Sequence, residues 1–376
     1  MSQNLNVIEV ESSKLLHVFI NLPFKLYKDV PNWVAPLISE RKEFFDKKKN
    51  PFYRGARTKL FVATRDDEPV GRIATCINYN HNEFHNENVG FFGFFDCIDD
   101  YEVAAKLLKV AMITLKSEGM EKMRGPANFS TNHEVGFLVE GFDSPPVVMN
   151  PYNPPYLPKL AEKFGLKKVM DLHAYLIDDS VPFPERLIKV ANRIKERNKI
   201  KIRTLNMSRF DEEIKRINYI YNNAWSDNWG FVPMPDEEFR HMGKDLKQIV
   251  DPDLVLIAEI DDEPAGFSLA LPDINIVLKK LNGRLFPTGI FKLIWNMKIR
   301  NKIDGLRVVT LGVVHKYQKR GIDTVFYVET FNRGTRKGYH WAEMSWILES
   351  NELMCRAAEN MGGKLYKKYR MVEMPI

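Results

Sequence analysis

The sequence predicts an α/β (α+β) fold built twice: two tandem domains, each a mixed central sheet flanked by helices. Three observations predict it. The chain has 376 residues, enough for two or three domains at roughly 150 residues each. Ala63-Thr64-Arg65-Asp66-Asp67-Glu68-Pro69-Val70-Gly71 returns as Ala258-Glu259-Ile260-Asp261-Asp262-Glu263-Pro264-Ala265-Gly266. The order of strands and helices after that turn is also similar in the two halves, which is how a duplicated fold reads. A hydrophobic share of 44% and a charged share of 28% exclude a disordered chain, a collagen and a coiled coil. Cys76, Cys97 and Cys355 are too few for a disulfide framework, and none forms a C-x-x-C pair. No apolar run approaches the roughly 20 residues that span a bilayer. Residues 1–12 lack a cationic region followed by an apolar one, so a reducing, cytoplasmic setting is expected.

In the first half, a short strand and an amphipathic helix share residues 7–27. Residues 59–64 and 70–77 read as a hairpin around Asp66-Asp67-Glu68-Pro69, from their apolar and β-branched content. His81 and His85 fall in an Asn-rich loop. A third strand covers 89–97. Asp100 then caps a helix over 101–117 that Gly119 ends. A strand at 122–126, a polar stretch at 128–155, a helix at 156–163 and a strand at 172–177 complete this half. The first domain is set at 1–178, and two prolines within 178–184 mark the linker region, 179–199, which includes a helix at 185–197.

The second domain, 200–376, starts the order again. A strand at 201–205 precedes helices at 211–225 and 237–249. A hairpin follows at 254–260 and 264–271. The insertion 275–304 carries Lys279, Lys280, Arg284, Lys292, Lys298, Arg300 and Lys302. It is a solvated basic face or one that meets anions. Its stretch at 290–298 is amphipathic, suited to packing between the halves, covering an acyl chain, or lying on a membrane surface. Strand 307–314, helix 322–337, strand 341–347, helix 351–360 and strand 365–374 complete the chain.

One segment suggests chemistry. Val313-Val314-His315-Lys316-Tyr317-Gln318-Lys319-Arg320-Gly321-Ile322-Asp323 ends a strand, turns and opens a helix. The first N–H groups of a helix point outward and favour an anion. Lys316, Lys319 and Arg320 add positive charge, and Gly321 allows close backbone approach. The plain alternative is a helix start with ordinary basic neighbours.

Gln318, Gly321 and their spacing resemble the Gln/Arg-x-x-Gly-x-Gly/Ala turn of the GNAT superfamily of acyl-CoA-dependent N-acyltransferases, with Asp323 in place of the last small residue. Asn351 and Gly362 match a second family pattern, while its tyrosine position holds Ala358. The resemblance implies an acetyl-CoA or longer acyl-CoA co-substrate, held by Val313, Val314, Gln318, Lys319, Arg320, Gly321, Ile322 and Asn351. It implies a small-molecule amine acceptor, a backbone N–H of Val313 or Val314 at the oxyanion, and an active copy in the second half. The first half lacks the turn and resembles a degenerate copy.

Acyl transfer needs a base for the amine, and an acid for the thiolate where none is supplied by solvent. Glu343, which shares a strand face with Ser345, His315 and Glu349 are candidates. Tyr366 or Tyr369 could replace the missing tyrosine. Trp225, Asn228 and Trp229, between the first two helices of this half, suit a small acceptor with an apolar part. His133-Glu134 has no second His at helical spacing and is no metal motif, so no metal is expected. A long polar loop such as 128–155 carries function or an interface. The mild net charge of +6 and the lack of interleaved aromatic and basic residues point away from nucleic acid. Two alternatives stand beside acyl transfer: a non-catalytic acyl-CoA-binding or regulatory protein, and an aminoacyl or peptidyl transferase on a tandem scaffold.

Overall fold

The structure is a computed structural model that describes residues 4–284 and 303–376. The chain divides into two compact units. Unit one gathers residues 4–172, 278–284 and 367–376, and unit two gathers 173–277 and 303–366. The sequence division at 178 and 200 differs in two places. Unit one's long segment closes at Leu172, and the end of the last strand, β13 (Lys364–Pro375), counts with unit one. The reason is pairing: Val372 to Pro375 face Gly125 to Lys122 in an antiparallel ladder.

Unit one orders its strands β1 (Leu5–Glu9), β2 (Ala56–Arg65), β3 (Glu68–Asn78), β4 (Val89–Cys97), β5 (Lys122–Gly125) and β13, with β6 (Phe137–Glu140) also on β13. Pairs from β1 through β4 are antiparallel, and β4–β5 is parallel. Unit two orders β8 (Lys201–Thr204), β9 (Val255–Ile260), β10 (Glu263–Pro272), β11 (Gly305–Val313) and β12 (Trp341–Leu348). Here too three antiparallel pairs lead to one parallel pair, β11–β12. Both units are therefore mixed sheets of the same order. β7 (Lys167–Asp178) straddles the division between them.

The repeated turn has a physical basis. Asp66, Asp67, Asp261 and Asp262 all take positive φ. Two consecutive residues of that kind make the turn whose twist matches a β-hairpin, and Asp tolerates the conformation better than most residues.

The helices of unit one are α1 (Ser13–Leu26), α2 (Ile38–Phe44), α3 (Tyr79–His85), α4 (Tyr101–Ser117) and α5 (Tyr156–Phe164). Asp100 caps α4 by accepting from the N–H groups of Glu102 and Val103. Its apolar stripe, Val103, Leu107, Ala111 and Leu115, is fully covered, and Gly71 and Gly90 leave room on the sheet for Leu107 and Leu115. His81 and His85 are not in a loop. Asn78 accepts from the His81 N–H at 3.2 Å and starts α3, so the two rings lie 4.5 Å apart on one helix. Burial, with His85 and Arg124 nearby, lowers the His81 pKa to about 3, which keeps it neutral.

Unit two adds α6 (Glu185–Arg197), α7 (Phe210–Ala224), α8 (Asp236–Leu246), α10 (Ile322–Arg336) and α11 (Glu352–Asn360), while α9 (Asn275–Leu281) straddles the division. Of the basic insertion, α9 and a short turn are described, and the amphipathic stretch 290–298 lies outside the described residues. Among the described residues no helix is long and apolar enough to cross a membrane.

The polar loop 128–155 is partly accounted for by Lys367. This lysine is fully buried. Its ammonium donates to the carbonyl of Gly141, to the carbonyl of Ser144 at 2.9 Å and to Ser144 Oγ at 2.7 Å. The lysine thus ties the loop to β13. Replacing it by Met strands those acceptors, and each buried polar group without a partner costs about 1–3 kcal/mol. Lys367→Met is expected to lower the stability of the chain by about 3 kcal/mol, read from the urea midpoint. A second expectation concerns Glu238 on α8, whose pKa burial pushes up to about 7. A carboxyl raised on folding stabilises below its unfolded value and loses that contribution as pH climbs through the folded one. Thermal melts of wild type and Glu238→Gln should therefore diverge between about pH 4.5 and 7, to the variant's advantage, by roughly 3 kcal/mol at 1.36 kcal/mol per unit, and run parallel above pH 8.

Candidate active site

In unit two the parallel pair β11–β12 keeps register over four positions, from Gly305↔Trp341 to Val308↔Met344. β11 continues to Val313 and β12 to Leu348. On its other side β11 stays paired with β10 as far as Val313↔Gly266. The two strands thus part after Val308 and Met344 while β11 remains anchored. A register shift falls at the same place: Ala270 faces Val308 and Leu269 faces Thr310. Val309 is therefore a bulge residue with no Cα partner in either register, and a bulge locally disrupts the ladder.

A cavity of about 370 Å³ occupies this parting, within the roughly 300–1,000 Å³ of small-molecule sites. Every residue of β11 from Leu306 to Val313 lines it, apart from Arg307. At about 3.3 Å per residue that stretch runs about 23 Å. One end carries Trp225 and Asn228, and the other carries Tyr339 and Trp341. Much of the wall between is apolar, with Phe183, Phe331, Met344 and Met361. Two hydroxyls in it, Ser268 Oγ and Thr330 Oγ1, are buried and have no hydrogen-bond partner among the described residues. A buried hydroxyl of that kind is stabilised by a ligand that brings a polar atom to it.

Unit one has no such parting. β4 and β5 pair from Val89↔Lys122 to Phe91↔Arg124. The chain after β5 then crosses directly onto β4: the Ala127 N–H donates to the Phe92 carbonyl at 2.7 Å, and Asn128 Oδ1 accepts from the Phe94 N–H at 2.7 Å. A Cβ on Gly93 would lie 1.8 Å from the Ala127 carbonyl oxygen. Main chain fills the space that unit two keeps open.

The expected cofactor residues fall into two groups. Val313, Gln318 and Asn351 line the cavity. Gln318 Nε2 donates to the Val313 carbonyl at 3.3 Å, and Asn351 caps α11 by accepting from the Met354 N–H at 3.2 Å. Val314, Lys319, Arg320, Gly321 and Ile322 do not line it. The Val314 N–H donates to the Ala265 carbonyl at 2.9 Å and is spent there. Lys319 and Gly321 take positive φ, which bends the chain into α10. A Cβ on Gly321 would also meet Ile194 of α6 at 2.6 Å, so this glycine serves packing as well. Lys316 and Tyr317 both bond Glu263, at 2.7 and 2.6 Å, and Arg320 lies 5.2 Å from the Tyr317 ring. Among the described residues no side chain caps the first turn of α10.

The catalytic candidates are scattered. His315 Nε2 is 2.9 Å from Ser226 Oγ and 3.9 Å from Asp227, and its backbone N–H donates to Asn223 Oδ1 at 2.9 Å. It stands beside the loop of Trp225 and Asn228 but not in the cavity wall. Glu343 is fully buried, also outside the wall, and accepts from the hydroxyls of Ser345 and Tyr366. Tyr369 is fully buried and counts with unit one, and Glu349 lies outside the wall. Of the acceptor candidates, Trp225 and Asn228 line the cavity and Trp229 does not. Gly312 leaves the space that Trp225 fills, since a Cβ there would come within 2.1 Å of the indole.

Sequence reasoning missed Val309, Ser268, Thr330 and Tyr327. Tyr327, on α10, lines the cavity beside Ala358 and donates to Met354 Sδ at 3.0 Å. Burial, and after it Asp323, holds its hydroxyl above the ordinary tyrosine value. Its signal was its place five residues into the helix that follows the Gln318 turn. A bulge or an unpartnered hydroxyl leaves no such trace.

No family profile matches the chain. It is 39% identical to the bacterial ceramide synthase of Caulobacter vibrioides over 381 residues, covering 99% of this chain and 98% of that protein. It is also 39% identical to the protein YghO of Escherichia coli over 366 residues, covering 96% and 93%. Among solved structures it resembles a tandem GNAT protein from the clavulanic acid biosynthesis pathway, with a TM-score of 0.59, 9% identity and coverage of 99% and 98%. A GCN5-related N-acetyltransferase from Sphaerobacter thermophilus gives 0.53, with 12% identity and coverage of 99% and 95%. At such identities these structures speak for the fold alone. Two mixed sheets of one order and a close likeness along nearly the whole chain place it: it has the GNAT fold and belongs to the family of the Caulobacter bacterial ceramide synthase.

Proposed function

We propose that unit two transfers a long acyl group from acyl-CoA to the amine of a lipid-like acceptor. The observation that carries this reading is the parting of β11 and β12 around a cavity lined by about 23 Å of β11, set against the filled space in unit one. The name of the Caulobacter relative supports a long-chain amine as acceptor. The co-substrate's thioester arm would enter beside Gln318 and Val313. Its amide groups suit the hydroxyls of Ser268 and Thr330, and the apolar wall toward Leu306 suits a hydrocarbon tail. Trp225 and Asn228 would receive the acceptor.

The amine nitrogen bonds the thioester carbonyl carbon, and the carbon–sulfur bond breaks. The Val309 N–H, at the bulge where the two strands part, would donate to the oxyanion. His315, held by Ser226, takes the amine proton through solvent. Tyr327, kept protonated by burial, gives its proton to the departing sulfur.

Thermal shift with CoA, acetyl-CoA and a long-chain acyl-CoA tests the first step. A ligand at 100 times its Kd stabilises by about 2.7 kcal/mol. The long-chain thioester should give the largest shift, and no shift with any of the three would sink the proposal. Thiol release with a panel of amines then separates turnover from mere binding. Ser268→Ala with Thr330→Val should weaken CoA binding roughly thirtyfold, at about 1 kcal/mol for each of the two hydrogen bonds, without lowering the melting temperature. Tyr327→Phe should cut kcat about a hundredfold and leave the donor Kd as it was.

A further inference from the structure

Arg307, Ser345 and Glu343, all buried, and the half-buried Tyr366 form a chain of hydrogen bonds with a direction. The hydroxyls of Tyr366 and Ser345 donate to opposite oxygens of the Glu343 carboxylate. With its proton committed, Ser345 Oγ accepts from Arg307 Nε at 3.0 Å. A second nitrogen of the guanidinium reaches the Ser345 carbonyl at 3.4 Å, and the group lies 4.8 Å from the centre of the Trp346 ring. Arg307 is 2% exposed and Glu343 0%.

The place of this chain in the sheet matters more than its members. Val308↔Met344 is the last pair of the parallel ladder. Arg307 lies one residue before it on β11, and Ser345 and Trp346 are the first two residues after it on β12. The side chain of Arg307 therefore bridges the two strands where their backbones stop doing so. Ser345 and Trp346 both line the cavity, whereas Arg307, Glu343 and Tyr366 do not.

We infer that Arg307 and Glu343 are positioning residues: acting through Ser345 and Trp346, they set how far β12 stands from β11 and so how the acyl donor fits between them. The planar fork of arginine meets two acceptors and an aromatic face at once, which a lysine cannot do. Both Glu343 oxygens are engaged by hydroxyl donors, and the carboxylate is sealed from the cavity. Glu343 thus orients Ser345 and takes no proton from the acceptor. This inference rests on the reading of the cavity as the acyl-CoA site.

The test uses the full chain and compares wild type with Arg307→Lys, Ser345→Ala and Glu343→Gln. Calorimetry gives the Kd for a long-chain acyl-CoA, and steady-state rates give KM, kcat and the pH profile of kcat. All three variants should raise the donor Kd and KM tenfold or more, with kcat within about threefold, the acceptor KM unchanged and the pH profile of Glu343→Gln like that of wild type. Ser345→Ala removes one hydroxyl and keeps the test open where Arg307→Lys fails to fold. A hundredfold loss of kcat in Glu343→Gln at unchanged donor Kd, with an altered pH profile, would make Glu343 the base and overturn the inference. Folded variants with wild-type donor Kd would also overturn it. If wild type itself binds no CoA thioester, the functional reading fails and this inference fails with it, an outcome distinct from the other two.

Discussion

Two parallel strands that begin paired and then part are the constraint on which unit two is built. A ladder that ends inside a sheet leaves backbone donors and acceptors facing one another across a gap, and such groups are costly unless something meets them. β11 can bear this because β10 holds it along its whole length. β12 is held at the start of the gap by a buried arginine. The cavity, the bulge at Val309, the indole of Trp225 against Gly312 and the tyrosine on α10 are all arranged around that opening.

The two halves show what duplication does when only one copy keeps the opening. Both run the same strand order, and in both the fourth and fifth strands pair in parallel. In unit one, Gly93 and Gly125 let main chain lie directly on main chain, and the Phe92 carbonyl and Phe94 N–H that a ligand would meet are taken by Ala127 and Asn128. The ionic network beneath it is also spent internally: Arg41 pairs with Glu134 at 2.5 Å, and Arg72 with Asp96 at 2.7 Å. Arg41 and the hydrogen bond from Asn128 outweigh burial and keep the Glu134 carboxyl below its usual range. These groups hold a filled scaffold together. Lys367 adds the end of the chain to the same unit.

How much of this was legible depends on the range of the cause. The repeated Asp-Asp-Glu-Pro turn announced itself because positive φ at two consecutive residues restricts the choice of residue. Helix α4 was legible from its cap and stripe. Local signals misplaced His81 and His85, since an Asn-rich stretch reads as loop although Asn78 serves as a helix cap. The pairing of β13 was beyond reach, because an apolar alternation announces a strand and not its neighbour. Glu343 and Ser345 were correctly put on one face, yet their chemistry depends on Arg307, which meets them only through the parallel register. Likewise the turn at Gln318 was found by its spacing, while Ser268 and Thr330 stand out only once the structure shows them without partners.

Hydrogen exchange with and without a long-chain acyl-CoA tests the central claim most directly, because it reads the backbone of the opening itself. The account predicts that amides of residues 309–313 and 345–348 gain protection on binding, while those of residues 92–97 and 124–128 in unit one stay as they were. Protection confined to unit one, or none at either place despite measured binding, would contradict it.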